Sequence, residues 1–225
     1  MRFIITERQY RNNILNEAQD DTFSYEEMKS ISELHSLVCY CYQHLGDDIG
    51  MGSSRCVFQL SDEWVIKVAY NKKGLAQNEE EWKALSSMDS LGIFVKIDEK
   101  LSDLENFKWI VSEFVLPAQK EDFQECCGLS WSTVQLFLRK SQEKHRLPDM
   151  SWIWKKCNMS DKMYNNLINT NDLCKGLDEY NAKYHHHHAD LRRIDAFGMT
   201  LRNGKPTMVL LDYGLTNEVF NRLYK

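Results

Sequence analysis

From Ser24 onward the apolar residues Tyr25, Met28, Ile31, Leu34, Val38, Tyr42 and Leu45 recur at three- and four-residue spacing, which puts them on one face of a helix. Ser24 with Glu27 forms a capping box, and Gly46 fits the position just past the helix end. The pattern therefore predicts one helix from Ser24 to about Leu45. After Gly46 the period shortens to two. Arg55 to Leu60 and Trp64 to Tyr70, separated by Ser61, Asp62 and Glu63, read as a hairpin. A helix with Trp82, Leu85 and Met88 on one side follows, then short apolar runs at Ile93 to Ile97 and Trp109 to Val115, the second ending before Pro117. Beyond Pro117 helical spacing covers Trp131 to Lys144 and Asp161 to Tyr184, and short strands return at Phe197 to Leu201 and Thr207 to Leu211. Ahead of all this, Met1 to about Asp21 holds a short apolar run and a small helix, for which Thr6 and Gln9 make a capping box.

This order predicts an α+β chain with a small antiparallel sheet, one inserted helix and a helical remainder. Three regions follow: an appendage over 1–22, a sheet-rich region over 23–116 and a mainly helical region over 117–225. A hydrophobic fraction of 43% supplies the apolar area that folding needs. The formal net charge of -5, without any Lys/Arg block, argues against a nucleic-acid partner. No stretch reaches about 18 apolar residues, the length of a membrane span, and the charged start MRFIITERQYRNN does not read as a secretory leader. Seven cysteines without CxxC spacing are expected as small buried hydrophobes in a reducing cytoplasm. The run His185 to His188 reads as structure or solvated loop rather than as a metal site.

Four separated segments hold residue types suited to a nucleoside triphosphate. The stretch from Gly50 to Val57 places Gly50 and Gly52 in a turn between strands, where a missing Cβ lets backbone N–H groups approach phosphate oxygens. Lys67 interrupts an apolar strand, and alternation puts it on the face of Val65 and Ala69. The acids Glu79, Glu80 and Glu81 open the next helix; such a run is ordinarily a solvated helix start, but one member could turn inward to Lys67. The last segment is the richest, with Asp190 and Asp195 near a short strand and Asp212 in an apolar run before Gly214. Carboxylates so placed suit a hard divalent cation and a hydroxyl nucleophile.

Segment by segment and in the same order, the chain resembles the protein-kinase superfamily. Gly50 to Val57 is similar to the glycine-rich loop with Arg55 in place of the third glycine, and Trp64 to Lys67 is similar to the VAIK strand. Asn78-Glu79 with Trp82 resembles the helix-C motif and selects Glu79 as the lysine's partner. Ser112 to Val115 resembles a gatekeeper and hinge, His188-Ala189-Asp190 the HRD motif, and Asp212-Tyr213-Gly214 the DFG motif. The resemblance implies a two-lobe fold with a small N-lobe sheet plus helix C and a reduced helical C-lobe. It also implies ATP with Mg²⁺ or Mn²⁺ as cofactors and phosphoryl transfer to a small molecule or partner protein.

Under that resemblance Lys67, oriented by Glu79, holds phosphates, Asp212 binds the metal, Asp190 meets the acceptor hydroxyl and Arg192 offsets charge. Adenine lies between Val57, Val65 and Phe197, with its edge on the backbone of Glu113 and Val115. Asp195 stands where the family has its second metal-binding Asn. Only eleven residues follow Gly214, so the segment that presents a peptide substrate is not expected. These departures keep open a pseudokinase, a nucleotide-binding or structural interaction module. The opening Phe3-Ile4-Ile5-Thr6-Glu7 resembles leaders of phage-encoded proteins, which implies a virion or host-takeover role.

Overall fold

The computed structural model describes residues 23–145, 157–187 and 191–224. The leading appendage with its expected Thr6 helix lies outside these residues, as do His188 and Asp190. Among the described residues no helix is long and apolar enough to cross a membrane.

The predicted helix from Ser24 to Leu45 is two helices, α1 (Tyr25–Ser30) and α2 (Leu34–Leu45). Ser24 Oγ accepts the Glu27 N–H as foreseen, but Ile31 is extended. Lys108 Nζ donates to the carbonyls of Lys29 (3.3 Å) and Ile31 (2.9 Å), so a distant side chain satisfies acceptors that a continuous helix would have used. Gly46 ends α2 at φ 80, where a glycine carries no Cβ penalty.

Five strands follow: β1 (Gly50–Met51), β2 (Arg55–Gln59), β3 (Trp64–Ala69), β4 (Ile97–Asp98) and β5 (Trp109–Glu113). They form one antiparallel sheet in the order β1-β2-β3-β5-β4. Helix α3 (Lys72–Met88) is inserted between β3 and β4. Alternation splits the sheet's faces. Phe58, Ile66, Val68, Trp109 and Val111 pack with Met28, Leu37 and Cys41 of the two leading helices. Ile110 on the other face joins the larger core.

The remainder holds α4 (Lys120–Cys127), α5 (Trp131–Lys144), α6 (Asp161–Thr170), α7 (Asp172–Tyr184), the hairpin β6 (Phe197–Arg202) and β7 (Lys205–Leu210), and α8 (Asn217–Leu223). Helix α5 has the predicted limits. The helix expected over Asp161 to Tyr184 breaks at Asn171, whose N–H closes α6 on Leu167 O while its side chain caps α7 by accepting from Cys174 N. Helices α4 and α8 are additions to the elements that the hydrophobic spacing predicts.

Two hydrogen bonds tie the segments before β4 and after β5 to the hairpin. Leu210 N donates to Ile93 O at 2.7 Å, and Ala118 N donates to Phe197 O at 2.7 Å. They carry the residues after β7, including Asp212, up against β3 and α3. Gly214 is in close contact with α3: a Cβ there would lie 2.2 Å from Gln77 O. The chain is thus an α+β fold in which the five-stranded antiparallel sheet and a set of helices meet along one seam.

Candidate functional site

A cavity of about 630 Å³ opens along that seam. Its walls are the glycine turn, the inward residues of β2 and β3, the segment from Ser112 to Pro117, and Leu211 with Asp212. This is the size range of small-molecule sites. Of the residues nominated from the sequence, Gly50, Gly52, Val57, Val65, Lys67, Glu113, Val115, Asp195 and Asp212 all line it.

The glycine turn is tied down by its neighbours. Gly52 N donates to Arg55 O at 2.9 Å, Tyr70 Oη donates to Gly52 O at 2.6 Å and Asn71 Nδ2 donates to Ser53 O at 3.2 Å. Ser54 Oγ donates to Gln77 Oε1 at 2.7 Å, which fixes the turn to α3.

At the inner end of the cavity lies a buried ionic cluster. Lys67 Nζ is 2.7 Å from Glu81 Oε2 and 2.5 Å from Leu211 O. Arg55 Nη2 is 2.7 Å from Glu81 Oε1 and 2.6 Å from Asp212 Oδ1, and its Nη1 donates to Asn78 Oδ1 at 3.0 Å. Glu81 is fully buried, with Arg55 and Lys67 at 6% and 7% exposure. Burial pushes the Glu81 carboxyl up, but Arg55 and Lys67 outweigh it and hold it below its ordinary value. Burial likewise lowers the Arg55 guanidinium, and Glu81 with Asp212 more than reverses that.

This corrects one assignment. The inward acid is Glu81, and Glu79 instead reaches Lys83 at 2.7 Å on the surface. The reason is helical geometry: Gln77, Asn78, Glu81, Ala84 and Leu85 are all buried and repeat at three- and four-residue spacing, whereas Glu79 falls to one side of that stripe.

Two further nominations move. Phe197 is fully buried against Phe123 (5.4 Å between ring centroids) and Trp131 (5.7 Å), in the core rather than in the cavity. Its neighbour Gly198 faces Val115 and Leu211, because adjacent strand residues point to opposite sides. The cavity wall expected of Phe197 falls to Leu211. Arg192 is not a lining residue: its carbonyl accepts from Gln135 Nε2 at 3.3 Å, and burial, helped by Arg139, lowers its pKa. Arg193 lines the cavity in its place.

Arg193 grips Asp195 with both ends of its guanidinium, Nε to Oδ1 at 3.0 Å and Nη2 to Oδ2 at 2.5 Å. Hydrogen bonding from Arg193 holds the Asp195 carboxyl below its usual range. Both carboxylates nominated for a divalent ion therefore carry a guanidinium. Among the described residues no three or more His, Cys, Asp or Glu side chains gather in a way that could hold a metal ion.

At the other end, Glu113 accepts from Arg202 through both carboxylate oxygens, from Thr200 Oγ1 at 3.0 Å and from Lys96 N at 3.2 Å. Burial raises its carboxyl and Arg202 with Lys96 N–H more than offsets this. These contacts fix the Ser112 to Pro117 segment to the β6-β7 hairpin. Ser112 itself is fully buried, lines the cavity, and its Oγ has no hydrogen-bond partner among the described residues. Of the histidine run, His186 and His187 are buried, and His187 stacks on Phe220 at 3.9 Å. Tyr224 Oη accepts from Gln77 Nε2 at 3.1 Å, so the end of α8 closes the cavity beside the glycine turn. Comparison with protein-family models, curated proteins and solved structures gave no match.

Proposed function

We propose that this chain is a protein-kinase-like module whose cavity binds a purine nucleotide between a sheet-bearing and a helical lobe. One observation carries the reading. The cavity joins a glycine turn and a buried lysine–carboxylate pair at one end to a strand-exit segment with an unpartnered buried hydroxyl, Ser112 Oγ, at the other. A buried hydroxyl without a partner costs free energy, and a polar ligand atom would recover it once the side chains that cover Ser112 shift aside. The base would lie between Val57 and Val65 on the sheet side and Leu211 opposite, its edge on the backbone of Glu113 and Val115. The ribose and phosphates would run toward Gly50, Gly52 and Lys67.

The binding-module reading is favoured over catalysis because Arg55 and Arg193 already hold Asp212 and Asp195. Phosphoryl transfer to a small molecule or partner protein is the second reading. It is favoured by Lys67 and Asp212 facing one cavity, and its acceptor-side residue, Asp190, lies outside the described residues.

A thermal-shift panel of adenosine, ADP, ATP and GTP tests the proposal. A ligand at one hundred times its Kd stabilises the folded state by about 2.7 kcal/mol, which for a chain of this size raises Tm by about 5–10 °C. Ser112→Phe should block the base end of the cavity and abolish the shift. If no nucleotide or nucleoside moves the wild-type Tm, the cleft is a scaffold and the proposal is wrong.

A further inference from the structure

Resting on the nucleotide-cleft reading, we infer that Arg55 is the resident cation of Asp212, so that ligand enters this cleft without a divalent metal ion. Among the described residues the charges along this wall of the cavity balance, with the Arg193–Asp195 pair at its exposed edge. Lys67, Arg55 and Arg193 face Glu81, Asp212 and Asp195, and every one of the three carboxylates is in contact with at least one of the three cations. A hard divalent ion in a nucleotide cleft is bound by one or two carboxylates together with the ligand's phosphates, so it needs carboxylate oxygens that no cation already holds. Here both oxygens of Asp195 are taken by Arg193. Asp212 keeps one oxygen outside its contact with Arg55, and a divalent ion there would sit beside a guanidinium.

Arg55 is also built in rather than draped over the site. It is 6% exposed, opens β2 opposite Ala69, and has a third partner in Asn78, which is itself held by Phe107 O at 2.9 Å from Nδ2. One of its nitrogens, Nη2, touches both Glu81 and Asp212. Those two contacts of 2.7 and 2.6 Å bring the carboxylate oxygens close enough for one cation to serve both. Removing the guanidinium would leave two facing carboxylates and a vacated space between them, the arrangement that a divalent ion fills.

The test uses Mn²⁺ alone, followed by electron paramagnetic resonance of the free ion and by Tm, so that it reads out without any nucleotide. Wild type should leave Mn²⁺ free at millimolar concentration and show no Mn²⁺-dependent change in Tm. Arg55→Ala should bind Mn²⁺ and gain at least 3 °C in Tm from it, and Arg55→Ala combined with Asp212→Asn should lose that gain. Mn²⁺ uptake by wild type that Asp212→Asn abolishes would overturn the inference, as would an Arg55→Ala protein that folds and binds no Mn²⁺. Should Arg55→Ala fail to fold, the ADP comparison in EDTA and in Mg²⁺ decides in its place. A final arm compares the ADP-induced Tm shift in EDTA and in Mg²⁺. Equal shifts support the inference and a shift that needs Mg²⁺ overturns it, whereas no shift in either condition counts against the nucleotide cleft and leaves the Mn²⁺ result to judge Arg55.

Discussion

Replacing Glu81 with Gln isolates the group that holds the inner end of the cleft together. The carboxylate is fully buried and is the shared partner of Lys67 and Arg55, each at 2.7 Å. The amide keeps the volume but removes the charge, leaving two buried cations with the single half-exposed Asp212. Breaking a buried pair in this way costs about 3–5 kcal/mol, and at about 2–4 °C per kcal/mol for a chain of this length Tm should fall by about 6–20 °C. Glu79→Gln is the matched control. Its partner Lys83 is half exposed and keeps Glu80 at 3.1 Å, so the loss should stay under about 1 kcal/mol. Urea unfolding monitored by tryptophan fluorescence measures both. Acid supplies a second check. A carboxylate whose folded pKa is lowered contributes stability that is present above its unfolded pKa and is lost as pH falls through the folded value. The gap between wild type and Glu81→Gln should therefore narrow below the ordinary carboxylate range. An equal or larger loss from Glu79→Gln would refute the pairing on which the whole site is built.

Two further perturbations probe the frame of the site. Burial pushes the His186 imidazole down to about 4, so the unfolded chain binds a proton that the folded one excludes, and stability should fall as pH drops from about 6.5 toward that value; His186→Leu should flatten the slope of unfolding free energy between pH 6.5 and 5, and an unchanged slope would place the sensitivity elsewhere. Gly214→Ala would drive a methyl to 2.2 Å from Gln77 O on α3, and should cost about 1–3 kcal/mol, read from the urea midpoint, whereas a neutral outcome would show that α3 can yield.

The sheet was legible because its alternation is regular. Val65 and Lys67 could be set on one face and Ile66 and Val68 on the other from spacing alone, and the two faces do go to the cavity and to the core of the leading helices. Helix α5 was equally plain, with Ser130 Oγ capping Thr133 N at its start and buried Val134, Phe137, Leu138 and Ser141 at helical spacing. The break between α1 and α2 could not be read locally, since Lys108, far along the chain, supplies the donors that end α1. By contrast the break at Asn171 did have a local signal, the polar run Asn169-Thr170-Asn171-Asp172, overridden by the apolar pattern on either side.

Among the site residues, Glu79 for Glu81 and Arg192 for Arg193 are offsets of one or two positions, whereas the wall expected of Phe197 is supplied by Leu211 from the segment after β7. Glu81, four residues before Leu85, could have been placed on the buried stripe by counting back from Ala84 and Leu85; motif likeness pointed to Glu79 instead. Phe197 and Arg192 lie beside a strand start and a single-turn helix at Ile194–Ala196, where no long periodicity fixes which neighbour faces the cavity. The Arg55–Asp212 contact joins residues 157 apart in sequence, and only the folded chain brings them together.

Isothermal titration calorimetry of ADP into wild type and into Ser112→Phe tests the nucleotide cleft most directly. One saturable site is expected on wild type, with heat that persists in EDTA and vanishes in the variant whose base end is blocked. Absence of heat from wild type, or heat that survives in Ser112→Phe, would contradict it.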